Sequence, residues 1–261
     1  MDHHGLAEKI MNNINRVLVG KEKVVEDVLV CLLAGGHILL EDVPGVGKTT
    51  LALALARSIS GSFGRIQFTP DTLPGDVTGV SVYHMKTGEF TYQRGAVMNQ
   101  VILADELNRT SPKTQASLLE AMAEGQVTVD GCVHRLPSPF FVMATQNPIE
   151  FLGTYPLPEA QMDRFMMRLS LGYPDREQEI RMAVQFLEGR TLEQVEGVCR
   201  AQDIEAMRRE VSRVVVKESV IGYMEDIVSS TRSEERFVLG ASPRAMLALV
   251  RACQAKAFLA E

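Results

Sequence analysis

The sequence of 261 residues lacks several features that would each commit it to a particular class. Its four cysteines, Cys31, Cys132, Cys199 and Cys253, are far apart, with no C-x-x-C pair and no histidine at metal-ligand spacing. That excludes a disulfide scaffold and the usual zinc frameworks, and the cysteines read as reduced thiols, most of them in the core. No apolar run approaches the roughly 20 residues that cross a bilayer. The start, Met1-Asp2-His3-His4, lacks the basic-then-apolar order of a signal peptide, so a cytoplasmic protein without a membrane span is expected. Basic residues are not in excess: 27 Lys and Arg stand against 33 Asp and Glu, for a formal charge of −6 and a pI of about 5.5. This discounts nucleic acid as the main partner. There is no internal repeat and no low-complexity tract, and 46% hydrophobic with 23% charged residues is the composition of a folded globular protein.

What is present is an alternation of helical and short apolar patterns. Leu6, Ile10, Ile14, Val17 and Leu18 recur at helical spacing, and Val24, Val25, Val28, Leu29 and Leu32 do so again after Gly20. Short apolar runs at residues 37–40, 66–68, 101–104, 140–144 and 165–171 have the character of buried parallel strands. One intervening helix is well punctuated, with Ser111 to cap it, Pro112 in its first turn and Gly125 to end it. Two insertions read as β-hairpins, residues 80–83 with 89–92 around Thr87-Gly88, and 126–129 with 132–136 around Asp130-Gly131. Beyond Tyr173-Pro174-Asp175 helical patterns take over. The expectation is an α/β core of a parallel five-stranded sheet flanked by helices, over residues 1–172. A small all-α domain follows over 173–261, and its last helix ends without a stop signal, so the expectation is a domain incomplete at its C-terminus.

The first apolar run leads directly into Leu40-Glu41-Asp42-Val43-Pro44-Gly45-Val46-Gly47-Lys48-Thr49-Thr50 and then a Leu/Ala-rich helix. This is the order of a phosphate loop, in which backbone N–H groups and a helix N-terminus wrap a phosphate, Lys48 reaches the β- and γ-phosphates and Thr49 ligates Mg²⁺. The usual pattern opens on glycine, and here that place is held by Asp42. A second run, Val101-Ile102-Leu103-Ala104-Asp105-Glu106, ends an apolar strand in two carboxylates, one suited to hold Mg²⁺ and the next to polarise an attacking water.

From here the residues resemble the AAA+ ATPases, and more narrowly the MoxR-type branch. The run from Ala104 through Asn108-Arg109-Thr110-Ser111-Pro112-Lys113-Thr114-Gln115 to Met122 looks like the branch's most distinctive stretch. Ala144-Thr145-Gln146-Asn147-Pro148 resembles the sensor-1 strand end, which implies that Asn147 orients water and contacts the γ-phosphate. Pro158 to Phe165 resembles the segment whose arginine, here Arg164, acts as a finger on a neighbouring subunit's ATP; a local pair with Asp163 or Glu159 is the competing reading. Gly240-Ala241-Ser242-Pro243-Arg244 looks like sensor 2. Arg244 in the first turn of a helix is not favoured by the helix dipole, and a phosphate or an interdomain ion pair would account for it. Val19-Gly20-Lys21 resembles the stretch beside adenine, although it reads equally as a helix end in the core.

The resemblance implies a Mg²⁺-dependent ATPase with Glu106 as base, working as a hexameric ring that remodels or matures partner proteins in a chaperone-like way. Proteins with von Willebrand factor A domains, and metal or cofactor insertion, belong to that implication. Asn-Lys, the start of a Ras-type guanine-reading run, occurs nowhere in the sequence, so ATP is preferred over GTP. Two other classes share the same core: a nucleic-acid motor and a nucleotide-gated module with little turnover.

Overall fold

The structure is a computed structural model, and it describes residues 3–147, 153–189 and 191–260. Helices α1 (His3–Asn15) and α2 (Glu22–Leu33) precede β1 (Ile38–Glu41) and α3 (Lys48–Ser58). Then come β2 (Phe63–Gln67), the one-turn α4 (Pro74–Thr78), the hairpin β3 (Gly79–His84) and β4 (Glu89–Arg94), and β5 (Val101–Asp105). A short 3₁₀ turn at Leu107–Arg109 leads to α5 (Pro112–Glu124), the hairpin β6 (Gln126–Val129) and β7 (Cys132–Arg135), β8 (Phe141–Gln146), α6 (Glu159–Met162) and β9 (Met167–Leu169). The remainder is helical: α7 (Arg176–Leu187), α8 (Ala201–Val211), α9 (Glu218–Ser233) and α10 (Pro243–Ala260). Among the described residues no helix is long and apolar enough to cross a membrane.

Five strands form one parallel sheet in the order β2-β5-β8-β1-β9. Its three central strands are buried along nearly their whole length, because helices cover both faces. Side-chain alternation divides the core accordingly. Ile38, Leu40, Val101, Leu103, Phe141 and Met143 pack with α1, α2 and α3, whereas Leu39, Ile102, Ala104, Val142 and Ala144 pack with α5. All four cysteines are free thiols, with Cys31 and Cys199 buried and Cys132 exposed.

Local signals hold where they are strongest. In α5 the Ser111 hydroxyl accepts from the Thr114 N–H, Pro112 is the first helical residue, and Gly125 takes the left-handed conformation (φ +62°) that closes the helix. Asp130 and Gly131 both have positive φ, the primed turn that a two-residue hairpin requires. Two strands differ from the sequence reading. The first of them, β2, begins at Phe63 rather than at residue 66, because it is an edge strand whose alternation of Gly64, Arg65, Ile66 and Gln67 hides its start. The other, β9, is confined to Met167–Leu169, the stretch that pairs with β1.

The hydrophobic core runs on past residue 172. Ile204, Met207 and Val211 of α8, and Ala255, Phe258 and Leu259 of α10, share one cluster with α1 and α2. Asn13 extends the connection, donating to Ser58 Oγ at 2.9 Å and to the Glu196 carbonyl at 2.8 Å.

Candidate active site

The turn from β1 into α3 is built on two left-handed glycines, Gly45 (φ +86°) and Gly47 (φ +102°). A Cβ at Gly47 would also lie 3.1 Å from Leu18 Cδ1, so a side chain there meets both backbone strain and a neighbour. Gly47 caps α3 without a side chain, which leaves the first N–H groups of the helix to the space in front of it. Lys48 Nζ donates to the Asp42 carbonyl at 3.0 Å.

That space is a cleft of about 410 Å³. Pro44, Gly45, Gly47, Lys48, Thr49 and Thr50 form one wall, and Arg65, Gln67, Asp105, Glu106 and Asn147 the other. β5 lies beside β8 and β2 in parallel register, so its C-terminal carboxylates emerge at the same end of the sheet, beyond the carboxyl ends of the strands, as the loop after β1. Asp105 Oδ2 lies 2.7 Å from Arg65, and Asp105 Oδ1 accepts from the Thr145 hydroxyl at 2.7 Å. Glu106 is left-handed (φ +57°, ψ +47°), a conformation that costs a non-glycine residue about 1–3 kcal/mol. It is held there by its own N–H donating to Thr145 Oγ1 at 2.9 Å, and its carboxylate accepts from Gln67 at 2.7 Å and from Arg109 at 3.0 Å. Asn147, nine-tenths buried, closes this wall, and the neighbouring Pro148 lies outside the described residues. The Thr49 hydroxyl and the Asp105 carboxylate are hard oxygen donors lining the same cleft, a donor set that fits Mg²⁺.

A second concavity of about 440 Å³ opens on the other side of the loop. Leu18, Val19, Lys21, Val46, Tyr173 and Met182 line it, with the loop residues Pro44, Gly45, Gly47 and Thr50 shared with the cleft. Gly20 (φ +71°) turns the chain beside it; a Cβ there would sit 2.2 Å from Gln178 Cδ of α7.

Arg164 and Arg244 line neither of these. Together with Arg251 they border a groove of about 510 Å³ beside Gly35, Gly36, His37 and Met166, the residues that lead into β1 and β9. This is the amino end of the strands, opposite the loop, which follows the last residue of β1. Arg164 donates to the Leu119 carbonyl of α5 at 2.8 Å. Asp163 accepts from the Ser242 hydroxyl at 2.8 Å, and Ser242 Oγ accepts from the Ala245 N–H, so the cap of α10 fastens Arg244 next to Arg164. His37 forms the buried floor of the groove, with Nδ1 accepting from the Val142 N–H at 3.1 Å; burial pushes its pKa down to about 4, against a backbone hydrogen bond to Met122, and the Arg208 charge lowers it further.

Sequence reasoning passed over Arg65, Gln67 and Thr145. Arg65 and Gln67 carried a signal, the polar positions of a period-2 strand, and Thr145 stands two residues before Asn147. Tyr173 and Met182 carried none, because their approach to the loop depends on how α7 returns to the core.

The chain matches the profile of the ATPase family associated with various cellular activities over residues 37–167, and that of the AAA lid domain over residues 229–261. It is 53% identical to the uncharacterized protein YeaC of Bacillus subtilis over 99% of this chain and 81% of that protein. To the chaperone MoxR1 of Mycobacterium tuberculosis it is 40% identical, over 97% of this chain and 69% of that one. The solved structure of an ATPase candidate from Cytophaga hutchinsonii superposes with a TM-score of 0.91 at 38% identity, covering 99% of this chain and 81% of the other. With the family profile spanning the chain from β1 to the first residue of β9 and MoxR likeness along nearly the whole length, the chain belongs to the MoxR-type AAA+ ATPases, enzymes that hydrolyse ATP in a chaperone-like role.

Proposed function

We propose that this ATPase works as a hexameric ring in which each ATP is held by one subunit and completed by the next. The observation that carries the nucleotide site in this reading is that the loop of residues 44–50 and the carboxylates Asp105 and Glu106 form opposite walls of one cleft. The N–H groups from Gly45 to Lys48 and the Lys48 ammonium bind the phosphates, with Pro44 and Thr50 shaping the loop. Val19, Gly20 and Val46 border the adenine. Thr49 and Asp105 hold Mg²⁺, which when bound neutralises charge on the phosphate oxygens. Glu106 accepts the proton of the attacking water and Asn147 orients that water.

Arg164 and Arg244 lie together at the amino end of the strands, away from their own loop. That supports a role on the ATP of a neighbouring subunit, where an arginine supplied in trans is worth about 10³–10⁵ in rate. In this reading residues 1–172 are the nucleotide-binding core and 173–261 the lid. The output is cytoplasmic remodelling or maturation of partner proteins, von Willebrand factor A domain proteins among them, and includes insertion of a metal or cofactor.

The test is Mg²⁺-dependent ATP hydrolysis measured against protein concentration, with molar mass from light scattering on the same samples. Specific activity is expected to rise as the mass approaches that of a ring. Full specific activity in a strict monomer would overturn catalysis between subunits.

A further inference from the structure

The chain departs from the usual phosphate-loop pattern at Asp42, where that pattern has glycine. Asp42 is 5% exposed, and a carboxylate so buried needs donors. It finds three, all on the segment that follows β9: Oδ1 accepts from Ser170 Oγ at 2.8 Å and from the Gly172 N–H at 3.0 Å, and Oδ2 from the Leu171 N–H at 2.6 Å. β1 and β9 pair in parallel as far as Leu40 and Leu169. Beyond that point the chain of β1 turns away into the loop, and the Asp42 side chain supplies the acceptors that a continuing strand would have supplied.

The same residue touches the loop through its backbone, since its carbonyl receives Lys48 Nζ at 3.0 Å. Residues 170–172 lead in turn to Asp175, the N-cap of α7. Gly172 (φ +62°) is the bend between them, and Lys21 Nζ grips the Gly172 and Tyr173 carbonyls at 3.2 and 3.3 Å. Asp42 therefore joins the phosphate-binding lysine to the start of the C-terminal helices within a single residue.

We propose that Asp42 is a positioning residue that carries the state of the phosphate loop to the 170–172 hinge. Phosphate draws Lys48 from the Asp42 carbonyl, the peptide at residue 42 readjusts, and the carboxylate passes that movement to the Leu171 and Gly172 amides. A glycine at this place would complete the loop and leave the hinge unattached. The proposal rests on the nucleotide reading of the cleft.

The test is amide hydrogen exchange at residues 168–175 of the full chain, without nucleotide and with saturating fluorescent mant-ADP, occupancy being read by fluorescence in the same samples. In the unmodified protein, nucleotide is expected to slow exchange at Leu171 and Gly172 severalfold. Ser170→Ala lies outside the cleft and removes one donor. It is expected to speed exchange of these amides by about tenfold, the factor set by one lost charge-assisted hydrogen bond, and to weaken their response to nucleotide. Asp42→Asn, which turns an amide toward N–H donors, is expected to abolish that response at full occupancy.

The response to nucleotide is the decisive readout, because a merely structural role would change the exchange rates and leave the response intact. Folded, saturated variants that keep the unmodified response would overturn the relay, as would an unmodified protein that binds mant-ADP without any response at the hinge. Failure of the unmodified protein to bind mant-ADP would overturn the nucleotide reading itself, and the relay with it.

Discussion

Thr145 and Asp105 share a hydrogen bond of 2.7 Å across adjacent parallel strands, from the threonine hydroxyl to Oδ1 of the carboxylate. The same hydroxyl oxygen accepts the Glu106 N–H at 2.9 Å. One fully buried side chain thus orients the Asp105 carboxylate and holds Glu106 in a left-handed backbone. Thr145→Val keeps the shape and removes both bonds. It is expected to cost about 1–3 kcal/mol of stability, the penalty for unpaired buried polar groups, and to lower kcat more than it changes KM for ATP. Urea unfolding and steady-state hydrolysis check this; unchanged values in both would make the threonine dispensable.

Glu106→Gln should still bind ATP, because the loop proposed to hold the phosphates is untouched, while turnover falls by about 10²–10⁴, the usual worth of a general base. The comparison is fluorescent-nucleotide binding against single-turnover hydrolysis. Wild-type turnover in this variant would remove Glu106 from the base role.

Arg164→Ala subunits should be inactive alone and regain activity when mixed with Lys48→Ala subunits, whose own loops are disabled but whose arginines are intact. The gain should follow the fraction of mixed rings, verified by native mass spectrometry. Confirmed mixed rings with no recovered turnover would show that Arg164 does not serve its neighbour.

His37 supplies a pH dependence of stability. Its folded pKa, about 4, lies below the ordinary 6.5 because burial disfavours the charged ring. Between those values the unfolded chain binds the proton and the folded one does not. Stability is therefore full above about pH 6.5 and declines as pH falls to about 4, by about 3 kcal/mol for this one group. His37→Asn should flatten that part of the profile, which denaturant midpoints between pH 7 and pH 4 would measure. Equal slopes in the two proteins would exclude His37 as the source.

Much of the cleft was legible because its parts are contiguous. Gly45, Gly47, Lys48 and Thr49 follow one buried run, and Asp105 and Glu106 end another, so local order alone places each at a strand end. The parallel strand order then brings both to the carboxyl end of the sheet. The helix from Pro112 was equally legible, since its cap, first proline and terminal glycine act within a turn of its ends. The start of β2 was not, because an edge strand with alternating polar residues has no continuous apolar run.

By itself the sequence determined the class of fold, the glycine-rich turn after one buried run and the two carboxylates at the end of another, all of which arise from short-range order. Only the tertiary structure decided that Arg65, Gln67 and Thr145 hold those carboxylates, and that Asp42 reaches residues 170–172. It also decided that Arg164 and Arg244 lie together at the amino end of the strands, opposite their own loop. The physical reason is distance along the chain: such contacts join residues that become neighbours only once parallel strands and returning helices are packed around a common core, and no local spacing encodes that.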